Sequence, residues 1–205
     1  MKTRLFLMLN LLHAIAVSSL LAAPPDKSVV AQLQKGGYVL FMRHGKTNPD
    51  QADTDPLHLD NVQAQRQLTD EGRQQAKALG EAFRALKIPV GTVTCSKFNR
   101  AQETAKLLGF STPQPSLDVS EGGLVVTTRE NQRRSKALLE LLSTPPPDGS
   151  NSFIVSHRPN LQDAAGKEFG DVSEAEVVIF RPLGGGKFEF VARVAPVSVW
   201  TEWAK

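Results

Sequence analysis

Three strand-like runs of apolar and β-branched residues, each ending in a cationic or imidazole-bearing turn, set the strongest limit on how this chain can fold. Tyr38-Val39-Leu40-Phe41-Met42 runs straight into Arg43-His44-Gly45. Thr92-Val93-Thr94-Cys95 leads to Ser96-Lys97-Phe98-Asn99-Arg100, and Phe153-Ile154-Val155-Ser156 leads to His157-Arg158-Pro159-Asn160. An uninterrupted apolar run reads as a strand buried on both faces. Open sheets of such strands bind ligands in the crevice beyond their carboxyl ends. Parallel strands would therefore gather Arg43, His44, Arg100 and His157 at one sheet edge, although spacing alone does not bring them together. Imidazole can act as a nucleophile, and guanidinium can hold a phosphate oxygen. The Arg43-His44-Gly45 tripeptide by itself is equally compatible with a solvated strand end. Gly45 allows a sharp turn and a close backbone approach.

The segments between these runs alternate helical and irregular patterns. Ser28 to Lys35 reads as a short helix capped by Ser28 and closed by Gly36-Gly37. Thr69 to Leu86 is the clearest helix. Thr69 suits the N-cap, Asp70 and Glu71 suit the positive end, and Ala76, Leu79, Ala82, Phe83 and Leu86 form an apolar face. Further helices are predicted over Asn99 to Leu108, Glu130 to Leu142 and Asn160 to Phe169, with Ala137, Leu138, Leu141 and Leu142 as the buried face of the second. Glu176 to Phe180 and Phe188 to Val194 flank Gly184-Gly185-Gly186 and read as a hairpin. Thr47 to Gln67 is a long polar loop, read as a pocket wall or lid, and Thr112 to Thr128 is irregular. The sum is an α/β protein: three α/β/α layers around a mostly parallel mixed sheet.

The 205 residues suit one domain, placed over residues 28–205. A formal charge of +3 is too small a surplus to argue for nucleic acid. Lys2 and Arg4, the mostly apolar stretch from Leu5 to Leu21, and Ala22-Ala23-Pro24-Pro25 resemble a signal peptide over residues 1–23. This implies a periplasmic or secreted protein, without stable membrane insertion after cleavage. An uncleaved anchor is the alternative, disfavoured by Asn10, His13, Ser18 and Ser19 within the stretch. Cys95 is the sole cysteine, so no intrachain disulfide forms, and it reads as a small core residue.

Arg43-His44-Gly45-Lys46-Thr47, Leu68-Thr69-Asp70-Glu71-Gly72-Arg73-Gln74-Gln75-Ala76-Lys77-Ala78-Leu79-Gly80, Ser96-Lys97-Phe98-Asn99-Arg100-Ala101-Gln102-Glu103-Thr104-Ala105 and Ile154-Val155-Ser156-His157 occur in an order that resembles the histidine phosphatase superfamily, branch 1, with its phosphoglycerate mutase-like fold. The resemblance implies that His44 is the nucleophile and that Arg43, Arg100 and His157 line the phosphate pocket. It suggests a phosphate contact for the Thr47 hydroxyl, for which a plain turn role is as good a reading. His157 is expected to be cationic beside a phosphate. The scheme calls for no metal and no cofactor. Glu121 falls where the family often places its proton donor, with Asp50 and Asp53 as other candidates. Lys46, Asp50 and Lys97-Phe98 depart from the mutase branch, and Arg158 stands where acid phosphatases carry Asp. The expected activity is hydrolysis of a small phosphate ester through a phosphohistidine intermediate. The alternatives are a phosphohistidine protein phosphatase and a non-catalytic module that binds phosphorylated ligands. Arg66 and Arg158 could reach substrate or be solvated, Arg133-Arg134 reads as a solvated helix face, and His58 lacks partners at metal-ligand spacing. Trp200 and Trp203 are expected to cover the core.

Overall fold

The computed structural model describes residues 26–122 and 125–205, so the signal-peptide reading over residues 1–23 lies outside the described residues. The sheet is built from β1 (Val39–Arg43), β2 (Val90–Ser96), β3 (Gln114–Ser116), β4 (Asn151–Ser156), β5 (Val177–Gly184) and β6 (Lys187–Val194). Their order across the sheet is β3-β2-β4-β1-β5-β6. The strands from β3 to β1 run parallel, and β5 and β6 add an antiparallel hairpin against β1. Its turn residues Gly184, Gly185 and Gly186 all have positive φ, which explains the glycine run.

Alternation along the central strand divides the core. Leu40 and Met42 face one way, with Cys95, Phe153, Val155 and Ile179. Val39 and Phe41 face the other, with Ile154, Val178 and Phe180. The first face is covered by α1 (Ser28–Leu33), α2 (Asp70–Ala85), α3 (Asn99–Leu108) and α6 (Val197–Trp203). The second is covered by α4 (Thr128–Ser143) and α5 (Arg158–Ala165). This is the expected three-layer arrangement.

Thr69 caps α2 as its side chain predicts, accepting the Gly72 N–H at 3.0 Å. Gly109 closes α3 with φ of 66°. Two sequence readings are corrected, and one helix was not foreseen. Ser28 begins α1 rather than capping it, because the Asp26 carboxylate upstream accepts its N–H. The stretch from Thr112 to Thr128 contains β3 and a 3-10 turn, Leu117–Val119. Helix α6 has too short a period to stand out in sequence, yet its Trp200 is fully buried, 4.7 Å between ring centroids from Phe83 and 5.2 Å from Trp203.

Two glycines set the distance between β1's turn and α2. A Cβ on Gly45 would lie 2.7 Å from Gly72 O, and one on Gly72 would lie 2.2 Å from Lys46 O. Gly45 is therefore required by helix packing. Among the described residues, no helix is long and apolar enough to cross a membrane.

Candidate active site

The carboxyl ends of β1, β4 and β2 are adjacent and point the same way, with Arg43 opposite Ser156 in register. They bring His44 and His157 to a centroid separation of 5.3 Å at an interplanar angle of 63°. His44 is 2 % exposed and His157 is 1 % exposed. His44 Nδ1 lies 2.8 Å from the carbonyl of Gly45. A carbonyl only accepts, so Nδ1 carries the hydrogen and Nε2 keeps its lone pair.

Arg100 leaves the first turn of α3 with its side chain wholly buried. Its guanidinium sits 4.4 Å from the ring centroid of Phe98. Nη1 donates to both oxygens of Asp53, at 3.0 and 3.1 Å, and Nη2 to Glu121 Oε1 at 2.5 Å. The same Glu121 oxygen is 3.8 Å from His157 Nδ1. Thr104 ties this helix to the β1 turn: its hydroxyl donates to Arg100 O at 2.7 Å and accepts from Gly45 N at 3.0 Å.

Burial pushes both histidines well below their ordinary value, and the Arg100 charge adds to the effect. At neutral pH His157 is thus uncharged, and a cationic form requires an anion beside it. Arg43 is lowered by desolvation despite the nearby Glu174 carboxylate. Arg66 also acts on Arg43, His44 and His157, which places it at the same crevice. Three nitrogens here are buried without a hydrogen-bond partner: Arg66 Nε, Arg100 Nε and His157 Nδ1. The two unpaired arginine donors at one crevice fit an anion with several oxygens.

The expected residues fall as follows. Arg43, His44, Arg100, His157 and Glu121 are brought together. Thr47 is buried near them, but its hydroxyl donates to Glu174 Oε1 at 2.6 Å. Asp53 joins the site, whereas Asp50 is exposed at the loop start. Arg158 is exposed but acts on Arg43 through its charge. His58 pairs with Asp55 at 2.7 Å away from the site, and among the described residues no cluster of three potential metal ligands occurs.

Two residues escaped the sequence reading. Glu174 precedes β5, whose antiparallel pairing with β1 brings it beside the β1 turn, 3.6 Å from Arg43 Nη2. The hairpin already visible in the sequence was the signal for this placement. Arg134, expected on a solvated face, is buried: Nη1 donates to the carbonyls of Ser120 and Glu121 at 3.1 and 3.3 Å. It fixes the backbone that carries the Glu121 carboxylate. Arg133, its neighbour, is the solvated member of the pair, bonded to Glu130 and Asp118.

Residues 39–122 match the family model of the histidine phosphatase superfamily (branch 1). A 75-residue stretch is 39% identical to the mitochondrial serine/threonine-protein phosphatase Pgam5 of Drosophila grimshawi, covering 37% of this chain and 23% of that protein. The chain thus spans under a quarter of that relative's length. Among solved structures, the protein histidine phosphatase SixA complexed with tungstate superposes with a TM-score of 0.55 at 19% identity, covering 79% of this chain and 99% of that one. A putative alpha-ribazole-5'-P phosphatase from Escherichia coli gives 0.54 at 17% identity, covering 76% and 95%. At these identities the structural likeness is one of fold. Over residues 39–122 the chain is thus similar to branch 1 of the histidine phosphatase superfamily, and its sheet and layers share the fold of these solved structures.

Proposed function

We propose that this protein is a phosphatase that hydrolyses phosphate monoesters through a phosphoryl group carried on His44. The observation that carries this reading is the orientation of His44: Nδ1 is bound to Gly45 O, and Nε2 is left as a nucleophile among Arg43, Arg66 and Arg100. Nε2 attacks phosphorus, the N–P bond forms, and the ester P–O bond breaks. Glu121 is the candidate to protonate the departing oxygen. Water then attacks phosphorus and gives its proton to Glu121, the N–P bond to His44 breaks, and inorganic phosphate leaves. The arginines offset the charge that spreads over the equatorial oxygens during transfer.

The likeness of fold to SixA supports a second reading, dephosphorylation of phosphohistidine on a protein. A phosphoimidazole is a good leaving group and needs less help from Glu121. The amino-terminal sequence supports export, which suits a small extracytoplasmic ester better than a phosphorelay protein. Fractionation of cells expressing the full chain tests that placement.

Hydrolysis of phenyl phosphate and an alkyl phosphate by purified protein, beside His44→Ala, tests the central reading. Turnover of both that disappears in the variant is expected. Full turnover by His44→Ala overturns the assignment, and binding without turnover by the native protein points to a phosphate-binding module.

A further inference from the structure

The loop between β1 and α2 carries a second carboxylate into the site, Asp53, which the scheme above leaves without a role once Glu121 is taken as the proton donor. Both oxygens of Asp53 meet Arg100 Nη1, and Oδ1 also accepts the Arg66 amide at 3.0 Å. With Glu121 on Nη2, the outer edge of the guanidinium faces two carboxylates. The Arg100 side chain is 0 % exposed, so its charge requires a counter-anion close by. We propose that Asp53 is a specificity-determining residue: an internal anion that the substrate displaces from Arg100, so that the site takes phosphate monoester dianions and refuses monoanionic esters.

This rests on reading the site as a phosphate pocket. A phosphate brought against Arg100 meets both carboxylates, and like charges at contact distance repel strongly where water is scarce. The two carboxylates differ in their freedom to yield. Glu121 sits on backbone held by Arg134 and beside Ser120, whose hydroxyl accepts the Lys97 amide at 2.9 Å. Asp53 sits in the loop, where its neighbour Thr54 is held by Ala64 O at 2.8 Å and the preceding Gln51 and Ala52 are exposed. Exposure does not separate the two, at 20 % for Asp53 and 23 % for Glu121, so the difference lies in the Arg134 hold on the Glu121 backbone. Asp53 is therefore the one to move. Exchanging one negative charge for another on Arg100 gains little, whereas a dianion brings a second charge to the unpaired Arg66 Nε and Arg100 Nε. Because the same carboxylate holds the Arg66 amide, its departure also releases Arg66 toward the ligand.

The test is calorimetric titration of the purified chain at about pH 8, where inorganic phosphate is mainly the dianion. The probes are inorganic phosphate, a dianion, and dimethyl phosphate, a monoanion. The native protein is expected to bind phosphate and to ignore dimethyl phosphate. Asp53→Asn should bind phosphate about tenfold tighter and gain measurable affinity for dimethyl phosphate. Asp53→Ser, a second variant, should behave alike, and thermal unfolding establishes that each is folded. Weaker phosphate binding in both variants would mean that Asp53 merely positions Arg100, and would overturn the proposal. Unchanged affinities, or native binding of dimethyl phosphate as tight as that of phosphate, would overturn it as well. These titrations need no turnover, so loss of the phosphatase reading and loss of this one are separately visible.

Discussion

The ring of His44 donates from Nδ1 to the carbonyl one residue on, and this local bond frees Nε2 without any partner from elsewhere in the chain. Glu121, by contrast, depends on distant residues. Arg100 binds its oxygen, and Arg134 holds its backbone. If it is the proton donor, Glu121→Gln should lower kcat on an alkyl phosphate by roughly 100- to 10,000-fold. Phenyl phosphate, with its better leaving group, should lose far less. Equal losses on the two esters in steady-state assays would remove Glu121 from that role. The strand-end residues Arg43, His44, Arg100 and His157 were legible because each follows a strand-like run. Glu174 and Arg134 were not, since a lone carboxylate before a hairpin and a basic pair on a helix look like ordinary solvated charges.

At the level of elements, the site depends on how closely α2 approaches the β1 turn. Gly72 stands on the first turn of α2, with Lys46 O where its Cβ would be. Thr69 strengthens the contact by donating its amide to the same carbonyl at 2.9 Å. Gly72→Ala should push the helix from the turn, destabilise the protein by about 1–3 kcal/mol and weaken catalysis by tilting His44. Denaturant unfolding and turnover, measured together, check both effects; a fully stable, fully active variant would contradict the packing account. The helix itself was plain in the sequence from its cap and apolar face. Its approach distance was not, because a glycine inside a helix does not reveal what presses against it. Strand β3 was hidden for a related reason: three residues, one of them proline, carry no usable alternation.

For the whole molecule, two neutral imidazoles at the centre couple stability to acidity. In the unfolded chain they titrate near their ordinary value of about 6.5. In the fold both are held well below it. Between those limits the unfolded chain binds more protons, so stability is fully present above about pH 6.5 and is lost as pH falls toward the folded values. Each histidine can contribute up to about 1.4 kcal/mol per pH unit in that window. Thermal unfolding should show a midpoint that falls between pH 7 and pH 5, with a shallower slope in His157→Gln. A slope unchanged by that substitution would assign the acid sensitivity to carboxylates instead. The sheet and its layers were foreseeable from alternating patterns. The pairing of α6 with α2 was not, since a short terminal helix shows its purpose only when Trp200 meets Phe83.

Cys95 lies in β2 on the covered face of the sheet, fully buried, and burial pushes its thiol up to about 11. It is the chain's only cysteine. To a thiol-directed dye the folded protein is therefore a blank background. A cysteine installed at the exposed Leu57, within the loop that carries Asp53, would be the single reactive handle on the molecule. The protein thus arrives ready for optical tracking of that loop, with no native thiol to remove first.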